Sequence, residues 1–191
     1  MIIFAAVKFH HNTPMNRIIP LLALTLIFAC QNTTWTITKN GVGPIISGTT
    51  LDELAVLFPS DSLVAATGKG DALIGDVEIF NSQGKLKLVV AADDGDDPTS
   101  KIAYVRIVDP QFTTPSGIGP SSTFGQIKDL YQVEGIDNAI NSVVISFKDA
   151  PWYITIDKTE LPENIRYDFA SKIELAQIPG EAKIKYFIYS W

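Results

Sequence analysis

Two short stretches of the chain place apolar side chains at helical spacing. In the stretch 50–58, TLDELAVLF, these side chains are Leu51, Leu54, Leu57 and Phe58. In the stretch 123–131, TFGQIKDLY, they are Phe124, Ile127, Leu130 and Tyr131. Each set forms one stripe along a helix, so the pattern predicts two helices of about nine residues that need tertiary packing to persist.

Both predicted helices begin with the same local signal. Thr50 is followed three residues later by Glu53, and Thr123 is followed at the same distance by Gln126. This spacing is typical of a capping box, in which the threonine hydroxyl accepts from a backbone amide and the longer side chain reaches back. Pro59 ends the first helix.

After each predicted helix the hydrophobic period changes to two, which is typical of strands with one buried face. The predicted strands are Leu63–Thr67, Asp76–Asn81, Lys85–Ala92, Ile102–Asp109, Ser142–Lys148, Trp152–Asp157 and Ile184–Trp191. Turns are predicted at 81–84, where Gly84 supplies a positive φ, and at 149–151. The stretch Leu161–Gln177 allows a helix but stays ambiguous.

The order of these elements repeats. Gly41-Val42-Gly43-Pro44 recurs as Gly117-Ile118-Gly119-Pro120, and each copy precedes one predicted helix. We therefore predict an α+β domain made of two related halves, about 41–112 and 117–191. Each half would be a short capped helix followed by an antiparallel β meander, with one sheet face packed on the helices.

The first 29 residues have the pattern of a secretion signal. A short positive segment at Met15-Asn16-Arg17 precedes a run of 12 residues, Ile18–Ala29, that contains Pro20. A signal peptide has roughly 7–15 apolar residues at this place, whereas a membrane-spanning helix needs about 20. Translation could start at Met1 or at Met15, since the segment from Met15 is complete by itself.

Cys30 directly follows this run, in the place of the lipid acceptor of bacterial lipoproteins. The segment resembles a lipoprotein signal, and the resemblance implies cleavage before Cys30, lipidation of its sulfur and a membrane anchor. By resemblance to enteric lipoprotein sorting signals, Gln31 in the next position favours the outer membrane. We therefore predict a signal peptide over 1–29, a lipidated cysteine and tether over 30–38, and one domain over 39–191. An ordinary signal peptide, an uncleaved anchor and a buried segment with a core cysteine are the alternatives.

Composition limits the chemistry that the predicted domain can perform. The chain is 46% apolar with 15 basic and 21 acidic side chains, and its net charge of −6 argues against nucleic acid as a partner. His10, His11 and Cys30 are its only imidazoles and thiol. Cleavage after residue 29 would remove both histidines and lipidation would block Cys30, which together exclude histidine-based catalysis and zinc sites with His or Cys ligands. We predict no enzyme activity and no cofactor.

The densest charge cluster is Asp93-Asp94-Gly95-Asp96-Asp97. Four carboxylates in five residues are weak candidates for Ca²⁺ ligands, because Ca²⁺ takes 6–8 oxygen ligands. The spacing and the closing glutamate of an EF-hand are absent. The favoured interpretation is a solvated hairpin tip, and we predict no metal.

Aromatic residues at the end of the chain supply the candidate binding surface. The side chains concerned are Trp152, Tyr153, Tyr186, Tyr189 and Trp191. A strand with aromatic residues on both faces is either packed on both sides or half exposed to a partner. Core packing is the favoured interpretation, and a surface for a partner or ligand is the alternative.

The signal segment, the two glycine motifs, the two capped helices and the final aromatic strand together resemble a known family. They are similar to the small RpoE-regulated lipoproteins of Gram-negative bacteria, whose molecular function is uncharacterised. From the signal segment and the absent nucleophiles we predict a lipid-anchored protein at the outer membrane, facing the periplasm, with a role in binding an envelope protein or in envelope stress. A carrier of a small apolar ligand and a carboxylate-dependent hydrolase are the alternatives.

Overall fold

The residues with period-two alternation form one antiparallel sheet of eight strands. The computed structural model describes residues 35–68, 70–166 and 172–191. The strands of this sheet are β3 (Ser62–Ala65), β4 (Val77–Phe80), β5 (Leu86–Ala92), β6 (Ile102–Ile107), β7 (Val133–Asn138), β8 (Ser142–Phe147), β9 (Trp152–Asp157) and β10 (Ile184–Ser190). A small hairpin of β1 (Gly41–Val42) and β2 (Ile45–Ile46) precedes them. The predicted mixed fold with an antiparallel sheet is therefore confirmed.

The helices are short and few among the described residues. They are α1 (Leu54–Leu57), α2 (Phe124–Lys128) and α3 (Glu163–Arg166), with 3₁₀ turns at Lys158–Glu160 and Leu175–Gln177. The first two lie within the predicted stretches 50–58 and 123–131, but they span four and five residues instead of the predicted nine or so. The ambiguous stretch Leu161–Gln177 contains α3 and the second 3₁₀ turn, while residues 167–171 lie outside the described residues.

The strand order shows how the sheet is assembled. Across the sheet the order is β3-β4-β5-β6-β10-β9-β8-β7. Along the chain, four of these strands follow α1 and the other four follow α2. Strands β3 to β6 form one meander, and β7 to β10 form a second. The last strand of each meander pairs with the other at the centre of the sheet, with Phe187 opposite Ile107 and Tyr189 opposite Val105.

One row of apolar side chains crosses the whole sheet in register. Its members are Leu63, Ile79, Leu88, Ile107, Phe187, Ile154, Ile145 and Ile136. This row belongs to the same hydrophobic cluster as Leu54 and Phe58 around α1 and Phe124 and Ile127 in α2. The helices and their flanking loops therefore pack on one face of the sheet, because each strand turns every second side chain toward them.

The structure also corrects several predictions. Strand β7 was not predicted, because Gly135 and the acidic side chains of Glu134 and Asp137 interrupt its apolar pattern. The predicted tether extended to residue 38, but Ile37 is buried and Trp35 packs against Phe112. Residues 35–38 therefore belong to the domain.

The two glycine motifs differ in backbone conformation. In the first motif Gly43 has a positive φ of 55°, whereas in the second motif Gly117 has a positive φ of 79°. A local hydrogen bond recurs near both motifs, although it begins after the first motif and within the second. Ile46 and Gly119 each donate an amide hydrogen to the hydroxyl of the residue three positions later, Thr49 and Ser122 respectively.

The two predicted capping boxes also differ. Thr123 forms the complete box, since its hydroxyl accepts from the Gln126 amide and its own amide donates to the Gln126 side chain. Thr50 donates its amide to Glu53 at 2.9 Å, but its hydroxyl donates to the Asp52 carboxylate. The prediction was therefore right for Thr123 and wrong for the hydroxyl of Thr50. Leu130, placed on the apolar stripe of the second helix, is 58% exposed.

This difference predicts unequal effects of removing the two hydroxyls. We expect Thr123→Ala to lower the free energy of unfolding by about 1 kcal/mol, because the Gln126 amide loses its acceptor. Thr50→Ala should change it by less than about 0.5 kcal/mol, since no helix amide depends on that hydroxyl. Urea unfolding followed by circular dichroism measures both, with Thr123→Ser as the control that keeps the acceptor. Equal losses would contradict this assignment of the caps.

Candidate binding face of the sheet

The side chains that point away from the helices form a second face of the sheet, which we call the open face. Its central row runs in register through Arg106 of β6, Ile188 of β10 and Tyr153 of β9. Tyr104 and Tyr186 are each two residues from this row along their own strands, so they point to the same side. These five residues define the open face.

A connecting segment covers one side of the open face. Residues 66–76 run from β3 to β4, and Ala66 and Ala72 of this segment pack with the buried Val89 of β5. Gly75 in the same segment lies directly against Gly95, where an added Cβ would be 2.6 Å from the Gly75 carbonyl oxygen. The segment therefore packs over β5 and leaves the tyrosines on β6, β9 and β10 beside it.

The three tyrosines of the open face are half-buried. Burial raises the pKa of Tyr104, Tyr153 and Tyr186 above 10.0. The Asp76 carboxylate adds to the rise at Tyr104, and the Asp71 carboxylate adds to the rise at Tyr186. Each phenol is therefore neutral at neutral pH, and it offers both an apolar ring and a hydroxyl that can donate or accept.

Arg106 is the central charge of the open face. Its side chain is only 10% exposed, and its guanidinium carbon lies 5.0 Å from the centre of the Tyr186 ring. Its nearest carboxylate among the described residues is that of Asp71, at 3.7 Å, and the Asp71 side chain is 63% exposed. The pair is an ion pair at a distance longer than a hydrogen bond.

A groove of about 360 Å³ opens beside Arg106. Apolar side chains from Leu86, Val108, Pro120 and Ile184 line part of it, and the charged residues along it are Asp71, Glu78, Arg106 and Lys185. Lys185 has its own partner, because its amino group donates to Asp157 at 2.8 Å. The groove therefore combines apolar walls with groups of both charges.

The five aromatic residues predicted as a binding surface do not lie on one face. Trp152 and Tyr189 are 4% and 0% exposed and belong to the core cluster on the helix side, so they are not surface residues. Tyr153 and Tyr186 lie on the open face, and Trp191 is 39% exposed at the end of the chain. Tyr104 and Arg106 lie on the same face as Tyr153 and Tyr186 but were not predicted as binding residues from the sequence.

The acidic cluster Asp93, Asp94, Asp96 and Asp97 is an exposed loop between β5 and β6. Its carboxylates accept hydrogen bonds from the loop itself: Asp94 from the Asp96 amide at 3.0 Å, and Asp97 from the Thr99 amide and hydroxyl. The Thr99 hydroxyl is the main cause that lowers the pKa of Asp97. Within the described part of the chain, no group of three or more acidic, histidine or cysteine side chains is arranged to hold a metal ion.

Cys30, the signal segment 1–29 and the tether up to residue 34 lie outside the described residues. Among the residues that the structure describes, no helix is long and apolar enough to span a bilayer.

The chain was compared with protein families, curated sequences and solved structures. No protein-family model matches the chain, and no curated protein sequence matches it. The crystal structure of the uncharacterized protein yfeY from Escherichia coli is similar with a TM-score of 0.47 and 15% identity, covering 82% of this chain and 99% of that chain. At this level of similarity it assigns neither family nor function to the present chain.

The Lys185–Asp157 pair beside the groove gives a titration that can be measured. The Lys185 amino group, followed by the amide and hydroxyl of Thr159, lowers the pKa of the Asp157 carboxyl to about 2. A carboxyl whose pKa is lower in the folded state stabilises the fold above its ordinary pKa of 3.8, and this contribution is lost as the pH falls toward 2.

We expect Lys185→Gln to raise the pKa of Asp157 toward 3.8, because the strongest donor is removed. Carbon-detected NMR titration of the carboxyl groups from about pH 1.5 to about pH 6 measures this pKa, because carboxyl groups titrate in that range. Lys183→Gln is the matched control, since Lys183 is an exposed lysine directly before β10 and does not contribute to the lowered pKa of Asp157. An unchanged pKa of Asp157 in Lys185→Gln would contradict the assigned cause.

Proposed function

We propose that this chain is a non-catalytic, lipid-anchored protein of the bacterial cell envelope that binds an envelope protein through the open face of its sheet. In this proposal Cys30 carries the lipid, and the domain faces the periplasm from the outer membrane. The signal-like segment and the resemblance to RpoE-regulated lipoproteins support the location. The composition of the open face supports the binding role.

The observation that carries the binding role is the grouping of Tyr104, Tyr153 and Tyr186 around Arg106. Tyrosine and arginine are enriched among the residues that contribute most of the energy at protein interfaces. Their rings are half-buried by the sheet itself, so little side-chain entropy remains to be lost on binding. The same face contains Ile188, which adds apolar area at its centre.

The packing of the sheet favours this proposal over the two alternatives. A carrier of an apolar ligand would need space between sheet and helices, where Ile107, Phe187 and Ile154 are at most 2% exposed and belong to one packed cluster. A carboxylate-dependent hydrolase would need two acids that face one reacting bond. Asp71 and Glu78 line one groove, but Asp71 is paired with Arg106.

We also propose that the domain consists of two related halves that meet at the β6–β10 pair. Three contacts of the first helix start recur in the second. Thr50 bridges to Lys101 as Thr123 does to Lys183. The amide of the next residue donates to the carbonyl before that lysine, as Leu51 to Ser100 and Phe124 to Ala182, and the following amides donate to Pro98 and Gly180.

The register of the central strands supports the same relation. A shift of 82 residues, the separation of Lys101 and Lys183, matches Val105 with Phe187 and Ile107 with Tyr189. Val105 pairs with Tyr189, Ile107 pairs with Phe187, and Arg106 pairs with Ile188. A two-fold relation between the halves would therefore pass through the pair Arg106 and Ile188, at the centre of the open face.

The lipid anchor is tested by metabolic labelling with a radioactive fatty acid. We expect the full-length chain to incorporate label and Cys30→Ala to incorporate none, because Cys30 is the only thiol in the sequence. Globomycin, which blocks cleavage of lipoprotein signals, should shift the wild-type chain to a larger precursor. Equal labelling of the two chains would reject the lipoprotein assignment.

The binding role is tested by photocrosslinking in the cells that produce the protein. We expect a photoreactive residue in place of Tyr153 to give one adduct of defined mass with an envelope protein. The same residue in place of Lys128, which is exposed on α2 on the helix side, should give none. Adducts only from position 128, or the same adducts from both positions, would reject the open face as the binding surface.

A further inference from the structure

We infer that the groove beside Arg106 is a binding site for a single carboxylate group, with the Arg106 guanidinium as its cation. This inference rests on the proposed binding role of the open face and names the chemistry that the face recognises. The ligand is a carboxylate attached to a small apolar or aromatic group. The carboxylate can belong to a free acid or to the end of a partner's polypeptide chain.

Arg106 is a buried charged residue. Its side chain is 90% buried, and its guanidinium carries five N–H donors in one plane. Buried charged groups in proteins are normally both paired and hydrogen-bonded, because losing water is costly. Among the described residues, Arg106 has an ion pair at 3.7 Å and a ring contact with Tyr186, but no oxygen at hydrogen-bonding distance. The guanidinium N–H groups of Arg106 therefore have no close acceptor among the described residues.

The groove provides space beside these donors. A volume of about 360 Å³ is in the range of pockets that take small ligands. Leu86, Val108, Pro120 and Ile184 give it apolar walls. A carboxylate placed on the plane of the guanidinium would accept two parallel hydrogen bonds, which is the strongest geometry for this pair. The apolar part of the ligand would then lie along these walls.

Asp71 lies beside Arg106. Its carboxylate is the group that now faces Arg106, yet it is 63% exposed and belongs to the connecting segment 66–76. Gly70 and Gly75, on either side of Asp71 in this segment, have positive φ values of 82° and 95°. Asp71 also accepts a hydrogen bond from the Tyr186 hydroxyl. It is thus an internal carboxylate in the place that a ligand carboxylate would take, and it competes with the ligand.

The other charges of the groove limit the ligand to one negative charge. Glu78 lines the groove as a second acid. The charge of Lys185 is already matched by Asp157 at 2.8 Å. A ligand with two negative charges would therefore face Glu78 without a second free cation among the described residues, and repulsion would weaken it. A monocarboxylate is favoured over a dianionic phosphate.

The test is a titration of the purified full-length chain in detergent with sodium benzoate, followed by the ¹⁵N–¹H signals of the arginine side chains. Benzyl alcohol is an uncharged probe with the same ring and similar size, and sodium chloride controls for ionic strength. We expect benzoate to shift one arginine signal in a saturable way and benzyl alcohol to shift none. Equal effects of the two probes would overturn the inference.

Two variants test whether Arg106 binds a ligand or only forms a structural ion pair with Asp71. We expect Arg106→Gln to weaken benzoate binding about 10-fold or more, because the charge-assisted hydrogen bonds are lost. Asp71→Asn should strengthen it several-fold, because the internal competitor loses its charge. If Arg106→Gln does not fold, Asp71→Asn and the benzyl alcohol comparison still decide. Unchanged or weaker binding in a folded Asp71→Asn chain would overturn the inference.

Two peptides distinguish the sources of the carboxylate. A short peptide that ends in phenylalanine with a free carboxylate is compared with the same peptide as its terminal amide. If the peptide with the free carboxylate binds more tightly than benzoate, the site binds the end of a partner's chain. If benzoate binds more tightly, the site binds a free acid. Because crosslinking from position 153 does not use these probes, it can succeed when benzoate fails, so the two proposals fail separately.

Discussion

The antiparallel pairing of β6 with β10 joins the two four-stranded meanders, and the rest of the structure depends on this pairing. Each meander alone would leave its last strand with an unpaired edge and half of its apolar row exposed. The pairing places Ile107 beside Phe187 and Val105 beside Tyr189, which makes the core row continuous from β3 to β7. Each such fully buried side chain contributes roughly 1.5–3 kcal/mol by leaving water.

A second constraint fixes the entry of the chain onto this sheet. A bulge places Lys87 between the pairs Phe80–Leu86 and Ile79–Leu88, so its side chain turns into the core side. There its amino group donates to Asp61 at 2.6 Å and lies 4.5 Å from the centre of the Trp35 ring. A buried ion pair of this kind is costly to break, which ties Trp35 and the segment that follows α1 to the sheet.

The sequence predicts local features well because burial alternates along each strand. Seven of the eight strands of the sheet were predicted to within about two residues, since apolar and polar side chains alternate in them. Strand β7 was missed because its glycine and acids suit an edge strand and hide the alternation. The pairing of β6 with β10 joins residues about 80 positions apart, so no local pattern could reveal it.

The candidate site could not be predicted from the sequence for the same reason, because its residues are brought together by pairing between distant strands. Alternation separates Trp152 from Tyr153 and Tyr186 from Phe187, but it does not say which member of each pair faces the helices. Arg106 in a predicted strand reads as an exposed charge, and its burial follows only from the neighbours that β10 brings beside it. Only the assembled sheet identifies Tyr104, Arg106 and Tyr186 as neighbours.

The central strand pair also explains why the open face can change without loss of the fold. Along β6 and β10 the inward residues Val105, Ile107 and Phe187 hold the two meanders together, while Arg106 and Ile188 between them point outward. Because successive side chains lie on opposite faces, a substitution at Arg106 or Ile188 leaves the core row intact. If the halves are related, this central pair now differs between them, one contributing a cation and the other an apolar side chain. The asymmetry lies at the point where a two-fold relation would require equal residues, and it gives the open face one charged centre instead of two.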